Sequence, residues 1–517
     1  MALLHALLFF MLCAVALGWL ARRAKVPYPI VLVLGGGAIG FVPGLPELPF
    51  DPQYLLVIVL PPILYQAALL TSWRDFKANV RPIGSLAIGL VIVTTLAVGA
   101  TLKLLVPEIP WAAAFAFGAI VSPPDAVAAT AILSRLHLPR RIVTVLEGES
   151  LVNDASGLVL YQFAVAAALT GVFSLADASG RFLLVAVGGI AIGMLVGWLF
   201  AAVHRYLGDA FTEVLLSLSI PYTAYLLAES LHVSGVLAVV AAGIVRGRYS
   251  PEIVSAEMRI LARSMWNVLV FLLNSVIFIL IGFQLSEITA RMAGYTAPQL
   301  AWYALAVCAV AILVRFAWVY PVEYLLHRIG VAHHEDPPPR GEAVIVSWCG
   351  MRGIVSLAAA LALPISPGTV DPGGFPHRDL IVFLTFVVIS VTLVLQGLTL
   401  GPLIRRLGIG ADLGTREEEQ LAREAMGRAA LDAIARESGT APAPSVSRVR
   451  EEFAERMALA APHDSREVGE ALASRRLRLA AIRAERQELV RVWRAGQVSD
   501  EVLHRLEEEL DYEEQRL

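Results

Sequence analysis

The sequence contains few charged residues and almost no cysteine for a chain of 517 residues. Charged side chains make up 16% of it, whereas soluble globular domains carry about 25%. Hydrophobic residues reach 57%, and the mean hydropathy is +0.68. This composition excludes an ordinary soluble protein and predicts a chain that crosses a membrane many times.

The three cysteines, Cys13, Cys308 and Cys349, all lie in apolar runs and lack the spacing of metal ligands. We interpret them as small packing residues. The sequence has no block of lysines and arginines, so no nucleic-acid partner is expected. A cofactor is not expected either.

Long apolar stretches are abundant, and a helix needs about 20 apolar residues to cross a bilayer. The second stretch is weakened by Gly35 to Gly37 and the ninth is short, so twelve spans is the alternative to thirteen. A basic "ARRAK" follows the first stretch instead of preceding it, which favours an uncleaved span over a signal peptide. The thirteen stretches have approximate limits of 3–20, 27–43, 54–70, 82–102, 111–134, 143–170, 182–203, 211–230, 233–246, 265–287, 299–325, 342–364 and 379–405.

Basic residues are distributed unequally between the predicted loops. With thirteen spans, loops on the side of the C-terminus carry sixteen Lys and Arg residues, and loops on the other side carry four. Cytoplasmic loops are enriched in Lys and Arg. The pattern therefore predicts an extracellular N-terminus, a cytoplasmic C-terminus and a location in the cell inner membrane.

The composition changes near Ala411, where Glu, Arg and Ala become frequent. "SGTAPAPS" and "APHDS" interrupt this polar region, and Ser499 is a candidate helix cap. We predict a membrane domain over residues 1–410 and a soluble, helical cytoplasmic tail over residues 411–517. A solvated helical appendage explains such a tail more simply than a regulatory sensor.

The sixth stretch contains acidic residues in the segment "EGESLVNDASGLVLY". On a helix, Glu147, Ser150 and Asp154 form one stripe, and Glu149 and Asn153 lie on an adjacent face. Charged side chains are costly within a membrane and usually face a cavity or a partner. The segment is therefore the first candidate for a functional site.

Two other stretches contain residues that interrupt helices. Pro123 and Pro124 precede Asp125 in the fifth stretch, where they remove backbone donors and free carbonyls near Ser122 to bind a cation. Glycines flank Arg352 in "GMRG" of the twelfth stretch. Interruptions near 122–125 and 350–353 are typical of two inverted repeats whose broken helices cross at an ion site.

These segments, "EGESLVNDASGLVLY", "SPPDAVAAT" and "GMRGIVSLAAAL", resemble the signature segments of the sodium/proton exchangers, the first class of monovalent cation:proton antiporters. The resemblance covers the whole membrane region in order. It implies an all-α polytopic membrane protein of about thirteen transmembrane helices with two inverted repeats and crossed broken helices. It also implies a homodimer.

The resemblance implies roles for individual residues. Asp154 is expected to hold a proton or a cation alternately, and the Ser150 hydroxyl to be a second Na⁺ ligand. Asn153 matches the Asn of the Asn-Asp pair that marks the electroneutral class. Asp125 and Arg352 are expected to offset the helix-end dipoles of the two broken helices.

Glu149 and Arg315 resemble the structural ion pair of this family. The third span of the family carries an acid four residues after its double proline, and this sequence has Gln66 at that position. A neutral amide leaves one fewer negative charge at the site. Because of this departure, the choice and the affinity of the cation stay open.

A buried carboxylic acid for which a proton and a cation compete predicts 1:1 electroneutral exchange of Na⁺ or Li⁺ for H⁺, serving pH and sodium homeostasis. Exchange of K⁺ for H⁺ is the alternative. Two aspartates on neighbouring spans, Asp125 and Asp154, also suggest an intramembrane aspartyl protease, but the Gly-x-Gly-Asp segment expected of one is absent. No segment resembles the selectivity filter of a channel. The protein is therefore expected to be a transporter and not an enzyme.

Overall fold

A computed structural model gives the structure of the protein. It describes residues 2–42, 52–125, 129, 138–171, 175–253, 256–292, 294–328, 340–364, 374–409, 413–437, 442–458, 465–495 and 497–516. Every regular element among these residues is helical, which confirms the predicted all-α class. The chain divides into two compact units, Met1–Ala411 and Asp412–Leu517.

Helices in the first unit follow the apolar stretches of the sequence, and each of the thirteen stretches overlaps at least one helix. The unit contains α1 (Ala2–Ala24), α2 (Tyr28–Gly40), α3 (Pro52–Leu70), α4 (Trp73–Ala78), α5 (Val80–Gly84), α6 (Val91–Leu105), α7 (Trp111–Val121), α8 (Arg140–Thr170), α9 (Leu175–His204), α10 (Ala210–Ser230), α11 (Gly235–Ile253), α12 (Ala256–Phe283), α13 (Leu285–Ala290), α14 (Ala297–Arg328), α15 (Arg340–Trp348), α16 (Ile354–Leu361) and α17 (Arg378–Leu407). A π-helical segment, Ser85–Leu90, joins α5 to α6.

Seven helical segments among the described residues are long and apolar enough to cross a membrane. Three shorter apolar helices, Tyr28–Gly40, Val57–Leu70 and Trp111–Val121, accompany them. The number of crossings and the inverted repeats stay predictions, because helix length and composition alone do not identify them. Residues 126–128 and 130–137 of the fifth predicted span lie outside the described residues.

The glycines of the second predicted span do not prevent a helix. A Cβ atom on Gly36 would lie 2.2 Å from the carbonyl oxygen of Ile279, and one on Gly282 would lie 2.1 Å from that of Val33. Helices α2 and α12 therefore approach so closely that only glycine fits at these two contacts. Small residues allow this backbone contact between membrane helices.

Helix α11 is longer than the ninth predicted span, which was expected to end at residue 246. Arg246 is one of the sixteen basic residues that the sequence assigned to loops on the C-terminal side. It lies inside this helix and is 3% exposed. The loop assignment was wrong for Arg246, because this residue is helical and buried. The carboxylate of Glu213 on α10 lies near enough to attract its charge. A buried arginine needs such a partner to offset its lost hydration.

The second unit contains four described helices: α18 (Leu413–Glu437), α19 (Ala443–Ala458), α20 (Ser465–Arg494) and α21 (Asp500–Arg516). The backbone N–H of Val502 donates to the Ser499 hydroxyl at 3.4 Å, so Ser499 caps α21. Arg486 on α20 pairs with Asp511 and Glu514 on α21 at 2.7 and 2.9 Å. These contacts hold α20 and α21 together.

Candidate functional site

Two interrupted helical segments meet in the first unit. Helix α7 ends at Val121, before Pro123 and Pro124, because proline lacks the backbone N–H that continues a helix. The backbone N–H of Asp125 then donates to the carbonyl of Met351 at 2.7 Å. Met351 lies in the non-helical segment between α15 and α16, so the two interruptions are in direct contact.

Arg352 donates to three backbone carbonyls at this junction, one of them at a helix end. Its Nε donates to Val121 at 3.0 Å, at the C-terminal end of α7, and its guanidinium also donates to the carbonyls of Gly350 and Ala311. Arg352 is 2% exposed. Its charge therefore lies where the negative end of the α7 dipole is buried.

Asp125 lies at the opposite kind of helix end. A Cβ atom on Gly353 would lie only 1.6 Å from Oδ2 of Asp125, so this carboxylate rests against the residue that precedes α16. The N-terminal end of a helix carries partial positive charge. Asp125 thus offsets the partial positive charge at the start of α16, and Arg352 offsets the partial negative charge at the end of α7.

Helix α8 crosses the junction with its polar segment. The Nδ2 of Asn153 donates to the carbonyl of Pro124 at 3.1 Å, and the Ser156 hydroxyl donates to Ala87 in the π-helical segment. Asn153 is fully buried. These bonds satisfy carbonyls in two segments where regular α-helical bonding is interrupted.

Glu149 and Arg315 form a buried ion pair on the adjacent face of α8. Two guanidinium nitrogens of Arg315 donate to the two carboxylate oxygens of Glu149 at 2.5 and 2.6 Å, and Nε donates to Val346 at 2.9 Å. Both side chains are at most 2% exposed. The pair neutralises Glu149 and fixes α8 to α14.

Asp154 differs from Glu149 because its carboxylate has no hydrogen bond or ion pair to any described residue. It is 6% exposed and faces a cavity of about 460 Å³. The predicted residues that also line the cavity are Ser150, Asp125 and Gln66. Asp154 therefore faces neither lipid nor an arginine.

Two predicted ion-binding residues do not line this cavity. Ser122 is 2% exposed and donates its hydroxyl to Ala119 at 3.0 Å, and Asn153 points to Pro124. The freed carbonyl of Val121 accepts from Arg352. These three groups therefore form hydrogen bonds within the interrupted segment and stabilise its conformation.

Several cavity residues were missed from the sequence. Asn267 accepts a hydrogen bond from Nε2 of Gln66 at 3.1 Å, and Asn274 and Ser356 also line the cavity. A signal was available, since Asn274 interrupts the apolar run "FLLNSVIF". Glu147 lines the cavity too, on the same stripe as Asp154.

A second cavity of about 330 Å³ lies along the C-terminal half of α8. It is lined by polar residues that include Tyr161, Arg181 and Glu229. Leu60 on α3 is 4% exposed and lines both cavities. Leu60 is thus an apolar side chain that borders both the cavity with Asp154 and the second cavity.

The fold matches solved antiporter structures. The sodium/proton antiporter MjNhaP1 of Methanocaldococcus jannaschii, at pH 8, superposes with a TM-score of 0.61 at 22% identity. The match covers 79% of this chain and 99% of that chain. It supports a shared fold.

Sequence comparison gives matches of higher identity. An uncharacterised Na⁺/H⁺ exchanger of Mycobacterium bovis is 36% identical, covering 96% of this chain and 93% of the relative. The uncharacterised Na⁺/H⁺ exchanger YjcE of Escherichia coli K12 is 33% identical, covering 94% and 93%. A protein named sodium, potassium, lithium and rubidium/H⁺ antiporter in Bacillus subtilis is 35% identical, covering 72% and 57%.

The family model for the transmembrane region of sodium/hydrogen exchangers matches residues 8–406. That range includes both helix interruptions and the cavity with Asp154. Membership decides against a protease, because the family consists of transporters. The chain belongs to the sodium/hydrogen exchanger family, and it is a multi-pass membrane transporter that exchanges monovalent cations for protons.

Proposed function

We propose that this protein exchanges Na⁺ or Li⁺ for H⁺ with 1:1 stoichiometry, and that Asp154 carries both ions in turn. One observation carries the proposal: a buried carboxylate faces a cavity and lacks a partner among the described residues. Burial disfavours the charged form of a carboxylic acid. Either a proton or a cation restores neutrality, so the two compete for one group.

Ser150 lies one helical turn before Asp154 and lines the same cavity. Its hydroxyl is the proposed second Na⁺ ligand. Asp125 contributes negative charge near the site without being the carrier. Asn153 and Ser122 support the site indirectly, through the bonds that hold the interruption between Val121 and Asp125.

The charges on α8 beside Asp154 support the proposed 1:1 stoichiometry. Glu149 is neutralised by Arg315, so it adds no second exchangeable carboxylate. Asn153, which precedes Asp154 in the chain, is a neutral amide and adds no charge there. One carboxylate then moves one positive charge in each direction, and the cycle is electroneutral.

Exchange of K⁺ is the second candidate. Gln66 places an amide in the cavity where the family resemblance leads one to expect an acid. A weaker negative field favours a larger, more easily dehydrated cation. Two similar Bacillus proteins are named as sodium, potassium, lithium and rubidium/H⁺ antiporters, which fits a broad choice.

The decisive experiment uses purified protein in acid-loaded proteoliposomes and follows fluorescence dequenching on addition of Na⁺, Li⁺ or K⁺. Asp154→Asn is expected to abolish dequenching with all three cations while the protein still elutes as a folded species. Normal exchange by Asp154→Asn would refute the site. A membrane potential generated during exchange by the wild-type protein would refute the 1:1 stoichiometry.

We further propose a homodimer in the cell inner membrane that contributes to pH and sodium homeostasis, with the N-terminus outside and the tail of residues 411–517 in the cytoplasm. The orientation is supported by the unequal distribution of Lys and Arg between loops. Reporter fusions after residue 1 and after residue 517 test it. A periplasmic C-terminal reporter would overturn the orientation.

A further inference from the structure

Two buried side chains outside the predicted site line the same cavity as Asp154. Asn274 lies on α12 and is 2% exposed, and Ser356 lies in the first turn of α16 and is 1% exposed. Oδ1 of Asn274 and Oγ of Ser356 have no hydrogen-bond partner among the described residues. The Asn274 amide forms a side-chain hydrogen bond with Tyr28, and its Oδ1 stays without a partner among the described residues.

Such atoms require an explanation, because buried polar groups nearly always have a partner. A buried oxygen that lacks a protein partner and borders a cavity is satisfied by water or by an ion. The cavity is large enough to hold several waters or a hydrated cation. Neither side chain can be assigned to helix packing alone.

The position of Ser356 links it to the ion site. It lies three residues after Gly353, against which the Asp125 carboxylate rests. The negative charge of Asp125 offsets the positive N-terminal end of α16. A cation can therefore approach the Ser356 hydroxyl without meeting an uncompensated positive dipole.

We propose that Asn274 Oδ1 and Ser356 Oγ are neutral oxygen ligands of the partly hydrated alkali cation. This inference rests on the proposed function, and it extends the cation site from α8 to α12 and α16. Carbonyl and hydroxyl oxygens replace hydration water around alkali cations, and the number of such ligands sets the preference between cations. These two residues therefore determine specificity, whereas Asp154 provides the charge.

The proposal separates cation binding from proton binding. A proton needs only the carboxylate of Asp154, whereas a cation needs several oxygens around it. Removing a neutral ligand should weaken Na⁺ binding by about tenfold, the effect of losing one polar interaction of ordinary strength. It should also change the ratio between Na⁺, Li⁺ and K⁺, because their hydration energies differ.

Ser275 provides a matched control. It is the neighbour of Asn274, it is fully buried, and its Oγ also lacks a partner among the described residues. It does not line the cavity. Ser275→Ala therefore removes the same group as Ser356→Ala, outside the proposed ion site.

The test measures half-saturating concentrations of Na⁺, Li⁺ and K⁺ in proteoliposomes for full-length variants. Ser356→Ala and Asn274→Leu are expected to raise the half-saturating Na⁺ concentration about tenfold. They should also change the ratios of the half-saturating concentrations of Na⁺, Li⁺ and K⁺. Ser356→Thr, which keeps the hydroxyl, and Ser275→Ala should retain the wild-type profile. Asn274→Asp adds charge at the same position and should lower the Na⁺ value, which provides a second test should Asn274→Leu fail to fold.

The inference would be overturned if Ser356→Ala and Asn274→Leu had the half-saturating concentrations of the wild type for all three cations. An equal shift in Ser275→Ala would also overturn it, because the effect would then be one of packing. If Asp154→Asn is inactive and the two variants match the wild type, only this inference fails. If Asp154→Asn exchanges normally, the proposed function itself fails.

Discussion

The backbone N–H of Asp125 donates a hydrogen bond of 2.7 Å to the carbonyl of Met351, across 226 positions of sequence. The bond joins the two places where the chain leaves helical geometry. Around it, Arg352 binds the end of α7, and Asp125 rests against the beginning of α16. The two interrupted segments thus form hydrogen bonds with each other's backbone, and each provides a charge that offsets the other's helix-end dipole.

The contact between Asp125 and Gly353 gives the first prediction. Gly353→Ala would place a Cβ atom 1.6 Å from the Asp125 carboxylate, so the carboxylate or the α16 end must move. We expect at least a tenfold loss of exchange rate and a lower melting temperature, measured by dequenching and by intrinsic fluorescence.

Gly180→Ala is the control for this substitution, since no atom lies within 4 Å of its Cβ position. Alanine is the better helix former by about 1 kcal/mol, so this control should keep or raise stability. If Gly353→Ala behaves like Gly180→Ala, Asp125 does not rest against α16.

The Glu149–Arg315 pair gives a prediction about stability. Glu149→Gln leaves a buried guanidinium with an incomplete partner, and breaking a buried pair costs about 3–5 kcal/mol. The double variant Glu149→Leu, Arg315→Met removes both charges and should be more stable than Glu149→Gln. Thermal unfolding in detergent provides the measurement.

Glu287 and Arg291 form a comparable pair at 2.6 Å, but they are about half exposed or more. An exposed pair contributes about 0–1 kcal/mol. Glu287→Gln should therefore shift the melting temperature little. If Glu287→Gln and Glu149→Gln lowered the melting temperature equally, burial would not explain the stability that the Glu149–Arg315 pair contributes.

Leu60 lines both cavities, and this position predicts that its truncation makes the membrane leak protons. Leu60→Ala shortens the side chain that borders both spaces, so water can connect them. We expect liposomes with this variant to lose a pH gradient without any added exchangeable cation. Retention of the gradient at the wild-type level would show that Leu60 is not the barrier.

Ile63→Ala is the matched control for the leak measurement. Ile63 lines the cavity that contains Asp154 and does not line the second cavity. Its truncation enlarges that cavity without opening it to the second one. Liposomes with Ile63→Ala should therefore hold the gradient as the wild type does.

Gln66 gives a prediction about affinity. Gln66→Glu adds a negative charge to the cavity with Asp154, and an added charge strengthens binding of a nearby cation. The half-saturating Na⁺ concentration should fall several-fold in dequenching assays. Gln66→Leu removes the bond to Asn267 without adding charge, and a similar fall in that variant would contradict the electrostatic explanation.

Short stretches of sequence were sufficient to predict the membrane helices and the helix interruptions, because both depend on interactions between residues close together in the chain. Apolar stretches predicted the membrane helices, because a bilayer requires long apolar segments. Pro123 and Gly353 predicted the interruptions, because proline and glycine act on their own backbone. Helix α11 was predicted too short, because the buried Arg246 was assigned to a loop.

The candidate site could be predicted only in part. Periodicity on one helix placed Glu147, Ser150 and Asp154 together, and the structure brings these three to one cavity. Asn274 and Ser356 were missed, because their helices meet α8 only in the folded protein. A backbone carbonyl near Ser122 was predicted as an ion ligand, and Ser122 does not line this cavity, so that role stays a prediction.

The sequence by itself determined the membrane class, the helical segments, the two interruptions and a stripe of acids on one helix. Those features depend on hydropathy, backbone restriction and helical periodicity, which act over a few residues. Only the tertiary structure decided that Glu149 is paired with Arg315 while Asp154 is left facing a cavity. The physical reason is that a buried charge is defined by its neighbours in space, and these come from distant parts of the chain.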